Sequence, residues 1–205
     1  NLISADKLTQ LAADLRVRQI DVSSYAVGVR TDGQLLAAIA NQTGGNLYVA
    51  EAPTMADKAQ GISLERANQE NVVQGQQAGA LLADWAQADV LWPAQSELPP
   101  SLAGHLPRVI PPLRADRASV LVGKTTERLE QPLAVRVTTA DGNRAITWSA
   151  EPQTSNIDQA YLAPLVESAQ ADEGVFLPTI GREGLAEARR LIHRQMDGLT
   201  SLAQQ

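Results

Sequence analysis

The first periodic pattern along the chain is that of an amphipathic helix. Residues 5–15 (ADKLTQLAADL) place apolar side chains at i, i+3, i+4 and i+7, which is the spacing of one helix face. Ser4 stands directly before this stretch and can accept a hydrogen bond from the first turn. We therefore predict a helix over 5–15 that Ser4 caps. Its apolar stripe consists of Leu8, Leu11, Ala12 and Leu15.

A strand, a second helix and a second strand are predicted next. The stretch 25–29 (YAVGV) is short and apolar, as is typical of a buried strand in a parallel sheet. Asp32 is a suitable N-cap for the helix GQLLAAIANQT, which Gly44 and Gly45 would end. NLYVAE (46–51) reads as the second strand. The order helix, strand, helix, strand predicts an open α/β sheet.

The middle of the chain is polar and helical. Residues 54–89 are rich in Gln and Asn, and Gly61, Gly75 and Gly79 weaken the helix. The pattern predicts one long helix or two with a break, and low-complexity aggregation is a weaker alternative. An extended segment starts at VLWP, and the six prolines within 93–112 exclude a continuous helix there. We place the main domain boundary in this proline-rich crossing.

Alternating apolar and polar residues follow the crossing and predict strands. ASVLVGKTT (118–126) is one candidate, and PLAVRVTTADGNRAITWSA (132–150) contains two more. Asp141-Gly142 separates the last two and predicts a hairpin turn, because glycine readily adopts the positive φ that such a turn needs. The apolar positions on either side of this turn are Val135, Val137, Ile146 and Trp148.

The end of the chain returns to a helical pattern. One helix is predicted within 157–172 and another within 181–204, where apolar residues recur at helical spacing. We divide the chain into an α/β segment (1–53), a helical segment (54–92), the proline-rich crossing with a β-rich module (93–155) and a helical tail (156–205).

Composition narrows the classes of function. Of the 205 residues, 44% are hydrophobic and only 3% aromatic, so a core is feasible but must be built from Leu, Val, Ile and Ala. The net charge of −6 argues against nucleic-acid binding, which needs clustered Lys and Arg. Cysteine is absent, which excludes disulfides and thiolate sites. The chain opens inside a helical pattern without Met, so we expect it to be a piece of a longer protein.

The first 50 residues resemble the C-terminal half of a von Willebrand factor A (VWA) domain. In that family a strand ending in x-V-G-V leads to a loop, a short helix with the pattern L-x-x-I-A-x-x-T-G-G, and a further strand. The resemblance implies a partial Rossmann-like half-sheet at the start of this chain. The matching residues here are Ala26, Val27, Gly28 and Val29, then Leu36, Ile39, Ala40, Thr43, Gly44 and Gly45.

The segment IDVSS raises the question of a metal ligand at Asp21. The VWA metal site uses a D-x-S-x-S loop that follows the first strand, together with a Thr and an Asp from later loops, and all of these would lie upstream. DVSSY (21–25) has Tyr25 where the last Ser should stand. We therefore expect Asp21 to be a strand or edge residue, because side chains along a strand alternate faces and do not converge on one ion.

A looser resemblance covers residues 110–124 (IPPLRADRASVLVGK). This stretch is similar to the β segment that follows the VWA module in bacterial proteins carrying a sandwich-like module. It implies a β-rich, sandwich-like unit after the crossing. The residues that carry the similarity are Pro112, Leu113, Arg114, Val120, Val122, Gly123 and Lys124.

Groups suited to catalysis are sparse. His105 lies in a loop among prolines and His193 on a charged helix face, so both are predicted to be solvated. TGGN (43–46) and GREG (181–184) lack the Lys and Ser/Thr of a phosphate-binding loop. We attribute the glycines of the first motif to helix capping alone.

Two groups of charges are predicted to be structural. Arg114, Asp116 and Arg117 alternate in sign within LRADR, which favours a salt bridge over an anion pocket. The densest basic patch is interleaved with Glu183 and Glu187, which favours a solvated helix face over an anion site. That patch contains Arg182, Arg189, Arg190, His193 and Arg194.

The three tryptophans are the largest apolar side chains. Trp85, Trp92 and Trp148 are expected to pack where the helix, the crossing and the β-rich module meet. The alternative is that they form a protein–protein interface.

A half-sheet leaves an edge strand and one apolar face to be covered by another polypeptide. We expect a non-catalytic interaction or assembly segment of a bacterial VWA-domain protein, in the cell envelope or outside the cell. Its partner would be the upstream part of the same protein or another subunit, and a divalent metal (Mg or Ca) would be bound by that upstream half, with no cofactor in this segment. The alternatives are an enzyme whose site another chain completes and a self-assembling structural protein.

Overall fold

A computed structural model of the chain describes residues 3–27, 31–49, 64–102, 104–125, 132–139, 145–154, 156–178 and 189. Within these residues the protein is a mixed α/β structure, as the sequence predicts. Its helices are α1 (Ala5–Val17), α2 (Gly33–Thr43), α3 (Leu64–Gln87) and α4 (Leu162–Ala169). Its strands are β1 (Ser24–Ala26), β2 (Leu47–Val49), β3 (Val90–Leu91), β4 (Pro93–Glu97), β5 (Leu113–Arg114), β6 (Leu133–Thr139) and β7 (Ala145–Ala150).

The caps of the first two helices lie where the sequence places them. The Ser4 side chain accepts a hydrogen bond from the backbone N–H of Lys7, and that of Asp32 accepts one from Leu35 at 3.0 Å. Gly44 ends α2 in the left-handed conformation, with φ of 83°. Both predicted helices are confirmed, and α1 continues two residues beyond the predicted end.

The strands β1 and β2 pair in parallel, with Tyr25 opposite Tyr48 and Ala26 opposite Val49. Ala26 and Leu47 pack against the buried alanines of α2 and form a small core. In α1, Leu8 and Ala12 are buried, whereas Leu11 of the same predicted stripe is exposed. Part of the apolar stripe of α1 therefore stays uncovered by the described residues. Residues 28–30, at the end of the predicted first strand, lie outside them.

The helix α3 is continuous from Leu64 to Gln87. A Cβ added at Gly75 or Gly79 would meet nothing within 4 Å, because the helix surface is open at both positions. The alternative of a break at these glycines is therefore wrong. The predicted start of this tract, including Gly61, lies outside the described residues.

The proline-rich crossing is not helical throughout, as predicted, and its first part is a strand. Pro93 begins β4, which lies at the edge of a three-stranded antiparallel sheet of order β4-β6-β7. An edge strand tolerates proline because one row of its N–H groups has no partner in the sheet. The strands on either side of the crossing also meet, because β3 pairs with β5. The division of the chain into four segments stays a prediction.

The predicted hairpin strands are confirmed. In the antiparallel pair β6–β7, Val135 lies opposite Trp148 and Val137 opposite Ile146. Val135 and Val137 are buried and share a core with Ile110. The turn at Asp141-Gly142 lies outside the described residues.

The predicted strand at 118–126 is wrong over its described part. This segment is extended and contains isolated bridge residues at Ser119 and Val122, of which Val122 pairs antiparallel with Leu106. The next N–H on the partner segment, that of Arg108, donates to the carbonyl of Glu173 at 3.2 Å. It is therefore not available to extend the ladder.

The first helix predicted in the tail is confirmed, with short 3₁₀ turns on both sides of α4. Leu165 and Val166 of α4 form a core with Leu106, Val122 and Leu177. The second predicted tail helix lies outside the described residues, apart from Arg189. Among the described helices, none has the length and apolarity needed to cross a membrane.

Candidate functional site

The side of the β1–β2 sheet that faces away from α2 carries two tyrosines whose rings are in contact. The rings of Tyr25 and Tyr48 lie side by side with centroids 5.2 Å apart and planes inclined by 37°. Because side chains alternate along a strand, these tyrosines lie opposite the face that packs on α2. Tyr25 is 37% exposed. We call this pair the tyrosine face.

An apolar residue extends this surface towards the carboxyl end of β1. Val27 lies two residues after Tyr25 and is 65% exposed. In an extended chain, residues two apart point to the same side, so Val27 continues the tyrosine face. The segments that leave β1 and β2 here, 28–30 and 50–63, lie outside the described residues.

The opposite, amino-terminal end of the two strands is closed by charged side chains. The Arg114 side chain is fully buried (0% exposed) and makes two hydrogen bonds to the carboxylate of Asp116, at 2.7 and 2.8 Å. It also donates to the carbonyls of Gly44 at 3.3 Å and Trp85 at 2.9 Å. Arg114 therefore joins the end of α2, the end of α3 and β5, and the salt bridge predicted within LRADR is confirmed.

A second arginine, Arg117, binds backbone carbonyls at the same end of α2. Arg117 donates to the carbonyls of Ala40 at 3.2 Å, Gly45 at 2.6 Å and Pro112 at 2.9 Å. The carbonyl of Ala40 already accepts the backbone N–H groups of Gly44 and Gly45, so Arg117 adds a further donor there. Its other two bonds join the chain just after α2 to the end of the proline-rich crossing. Burial lowers the pKa of Arg117 to about 10.

Two carboxylates and an amide complete what we call the arginine cluster: Arg114, Arg117, Asp116, Asp21 and Asn46. The hydrogen bond from Arg114 holds the pKa of Asp116 below its usual range, and the same bond raises the pKa of Arg114. Asn46 donates to Asp116 at 3.2 Å. The guanidinium of Arg114 bonds to Asp116, Gly44 and Trp85, whereas the Nε of Arg117 is buried and, among the described residues, has no hydrogen-bond partner.

The prediction for Asp21 needs correction. Asp21 lies before β1 rather than in a strand, and its carboxylate is 3.5 Å from a guanidinium nitrogen of Arg114. This ion pair depends on the tertiary structure, because β5 brings Arg114 close to the start of β1. Within the part of the chain that the structure describes, no group of three or more His, Cys, Asp or Glu side chains could hold a metal ion.

Helix capping is only one of the reasons for glycine at positions 44 and 45, so the interpretation from the sequence was incomplete. A Cβ at Gly45 would lie 1.9 Å from the carbonyl oxygen of Val22, and one at Gly44 would lie 2.6 Å from Cβ of Pro112. The pair therefore also allows the chain before β1 and the proline-rich crossing to approach α2 closely. Nothing local in the sequence indicates these contacts.

Buried polar residues at the end of α2 were not predicted as contacts. Asn41 donates to the carbonyl of Leu177 at 3.2 Å, and Gln42 donates to the carbonyls of Gly174 and Val175. Arg16 of α1 donates to both the backbone and the side chain of Gln42. Burial lowers the pKa of Arg16 to about 10. The available signal was the run Asn-Gln-Thr closing an otherwise apolar helix.

The tryptophans lie at three different places. Trp85 is in the last turn of α3 and half-buried, and its carbonyl accepts the bond from Arg114. Trp92 is half-buried and lies between β3 and β4. Trp148 lies in β7, and its side chain is not among those that the structure describes. Their predicted role in a core or an interface stays a prediction.

The prediction that His105 is solvated is wrong. His105 is only 7% exposed, and burial lowers its pKa, with Arg108 acting in the same direction. The loop around His105 packs closely against the extended segment that contains Gly123, since a Cβ at Gly123 would lie 3.3 Å from Cα of His105. Arg189 is exposed, whereas His193 and the rest of the basic patch lie outside the described residues.

The comparison of this chain with known proteins found no relative. No protein-family model matches the chain, and neither a curated protein nor a solved structure matches it.

Proposed function

We propose that this chain is a non-catalytic interaction or assembly segment of a bacterial VWA-domain protein. In this proposal α1, β1, α2 and β2 form the C-terminal half of the domain, and the tyrosine face is covered by the upstream part of the same protein or by another subunit. The metal-dependent ligand site belongs to that missing half. The observation that carries the proposal is the partly exposed tyrosine face on a two-stranded parallel sheet, with Tyr25 37% exposed and Tyr48 half-buried.

The physical argument concerns the two faces of a parallel sheet. Such sheets are normally covered on both faces, and two strands alone are marginally stable in water. Among the described helices, α2 is the one that packs extensively on both β1 and β2. A further layer over Tyr25 and Tyr48 would bury apolar area that stabilises at about 25 cal/mol per Å².

The position of the arginine cluster supports a structural role for it. Ligands of open α/β sheets bind at the carboxyl ends of the strands. Asp21 and Asn46 lie at the amino ends of β1 and β2, on the opposite side. We therefore assign the cluster to support, and any ligand site to the carboxyl end beyond Val27 and Val49.

The resemblance of the sequence supports the choice of family. Its motif residues Thr43, Gly44 and Gly45 end α2 directly before β2, in the order that the VWA pattern requires. We favour an extracytoplasmic or envelope location as part of the same proposal.

The test compares the 205-residue chain alone with the chain co-expressed with the polypeptide encoded directly upstream in its gene. We expect the two to co-purify, and hydrogen exchange of the β1 and β2 amides to slow in the complex. An upstream D-x-S-x-S motif within roughly 100–150 residues is expected as well. Unchanged exchange of both strands in the presence of the upstream polypeptide would overturn the proposal.

A matched pair of variants locates the contact. Val27→Asp places a charge beside the tyrosine face and is expected to abolish co-purification, because an unpaired carboxylate would be buried. Val109→Asp is the control, since Val109 is 58% exposed and lies in the proline-rich crossing. Equal loss in both variants would argue against docking at the tyrosine face.

A self-assembling structural role is the second candidate. It is favoured by α3, where Val72 and Val73 are both exposed on a long polar helix. Light scattering that rises with protein concentration, and falls in Val72→Asp, is expected if α3 mediates self-association. Scattering that stays flat would remove this candidate.

A further inference from the structure

We draw no further inference here: the strongest candidate, the groove of about 750 Å³ between the extended segment 120–124 and helix α4, is lined mainly by apolar side chains, and nothing in the structure shows what covers it.

Discussion

The amino end of the β1–β2 sheet and the tyrosine face of the same sheet differ in how far other segments cover them. At the amino ends of β1 and β2, the arginine cluster ties α2 to α3 and β5 through buried hydrogen bonds. On the tyrosine face, Tyr25 is partly exposed and no described helix packs extensively. Within the part of the chain that the structure describes, later segments close the amino end of the sheet, whereas the tyrosine face stays partly exposed.

The difference follows from what each side chain tolerates. Burying a guanidinium costs free energy that hydrogen bonds to its donors offset, and Arg114 and Arg117 find acceptors inside the fold for their donors except the Nε of Arg117. A tyrosine has an apolar ring and a polar hydroxyl, so it is stable both at a wet surface and within an interface. We therefore expect a partner to bind at the tyrosine face and the arginine cluster to stabilise the fold.

The largest effect is expected from Gly45→Ala, which tests how closely the amino end is packed. The new Cβ would lie 1.9 Å from the carbonyl oxygen of Val22, so the backbone must shift. We expect the free energy of unfolding to fall by about 3 kcal/mol or more, measured by urea denaturation. Gly79→Ala is the matched control and should stabilise α3 by about 0.5–1 kcal/mol, because its Cβ meets no atom. Similar stability of the two variants would contradict the close packing.

Arg114→Met removes the centre of the arginine cluster. It leaves the Asp116 carboxylate and the carbonyls of Gly44 and Trp85 without their partner, so we expect a loss of about 3 kcal/mol in unfolding free energy. Arg136→Met is the control, because the ion pair of Arg136 with Glu97 is long, at 3.9 Å, and solvated. It should change stability by no more than about 0.5 kcal/mol. Equal effects would show that burial of Arg114 contributes nothing.

Acid titration tests the electrostatics of the same cluster. Since the pKa of Asp116 is lowered in the folded state, its stabilising contribution is fully present above the unfolded value of about 3.9 and is lost as pH falls through the folded value. Stability of the wild type should therefore fall more steeply below pH 4 than that of Asp116→Asn, by at most about 1.4 kcal/mol per pH unit. Urea denaturation at several pH values measures the difference. In the Arg114→Met background the Asp116→Asn change should make no such difference, and a persisting difference would identify another cause.

The smallest effect is expected at the tyrosine face. A double-mutant cycle of Tyr25→Ala and Tyr48→Ala should give a coupling energy of about 0.5–1 kcal/mol, as for other cross-strand aromatic pairs. Tyr25→Phe keeps the ring and should leave the coupling with Tyr48 almost unchanged. A coupling near zero would mean that the two rings do not form an organised surface.

Local features were predictable because their causes are local. Ser4 and Asp32 cap helices through hydrogen bonds to residues three positions away, and the pairing of Val135 with Trp148 joins two strands that the alternation of apolar and polar residues predicts. Periodicity also placed α1 correctly, and the capping residues Asp32 and Gly44 placed α2. These features need only the residues within a few positions of each other.

Contacts between distant segments were not predictable in the same way. Arg114 meets Trp85, Gly44 and Asp21, which are 29, 70 and 93 residues away along the chain. The burial of His105 has the same kind of origin, since it depends on the segment that returns at Gly123. Alternation at 118–126 predicted a strand, but a strand needs a partner with free N–H groups, and Arg108 donates elsewhere.

The amino-acid sequence alone determined the mixed α/β class, the helix caps and the pairing of the hairpin strands, because backbone preferences and side-chain periodicity act over short distances. The tertiary structure decided which polar groups are buried together and which apolar side chains stay exposed. Arg114 and Tyr25 acquire their different roles only when β5 and α3 close the amino end of the sheet and no described helix closes the tyrosine face. Burial depends on the whole set of neighbours, and these come from segments far apart in the chain.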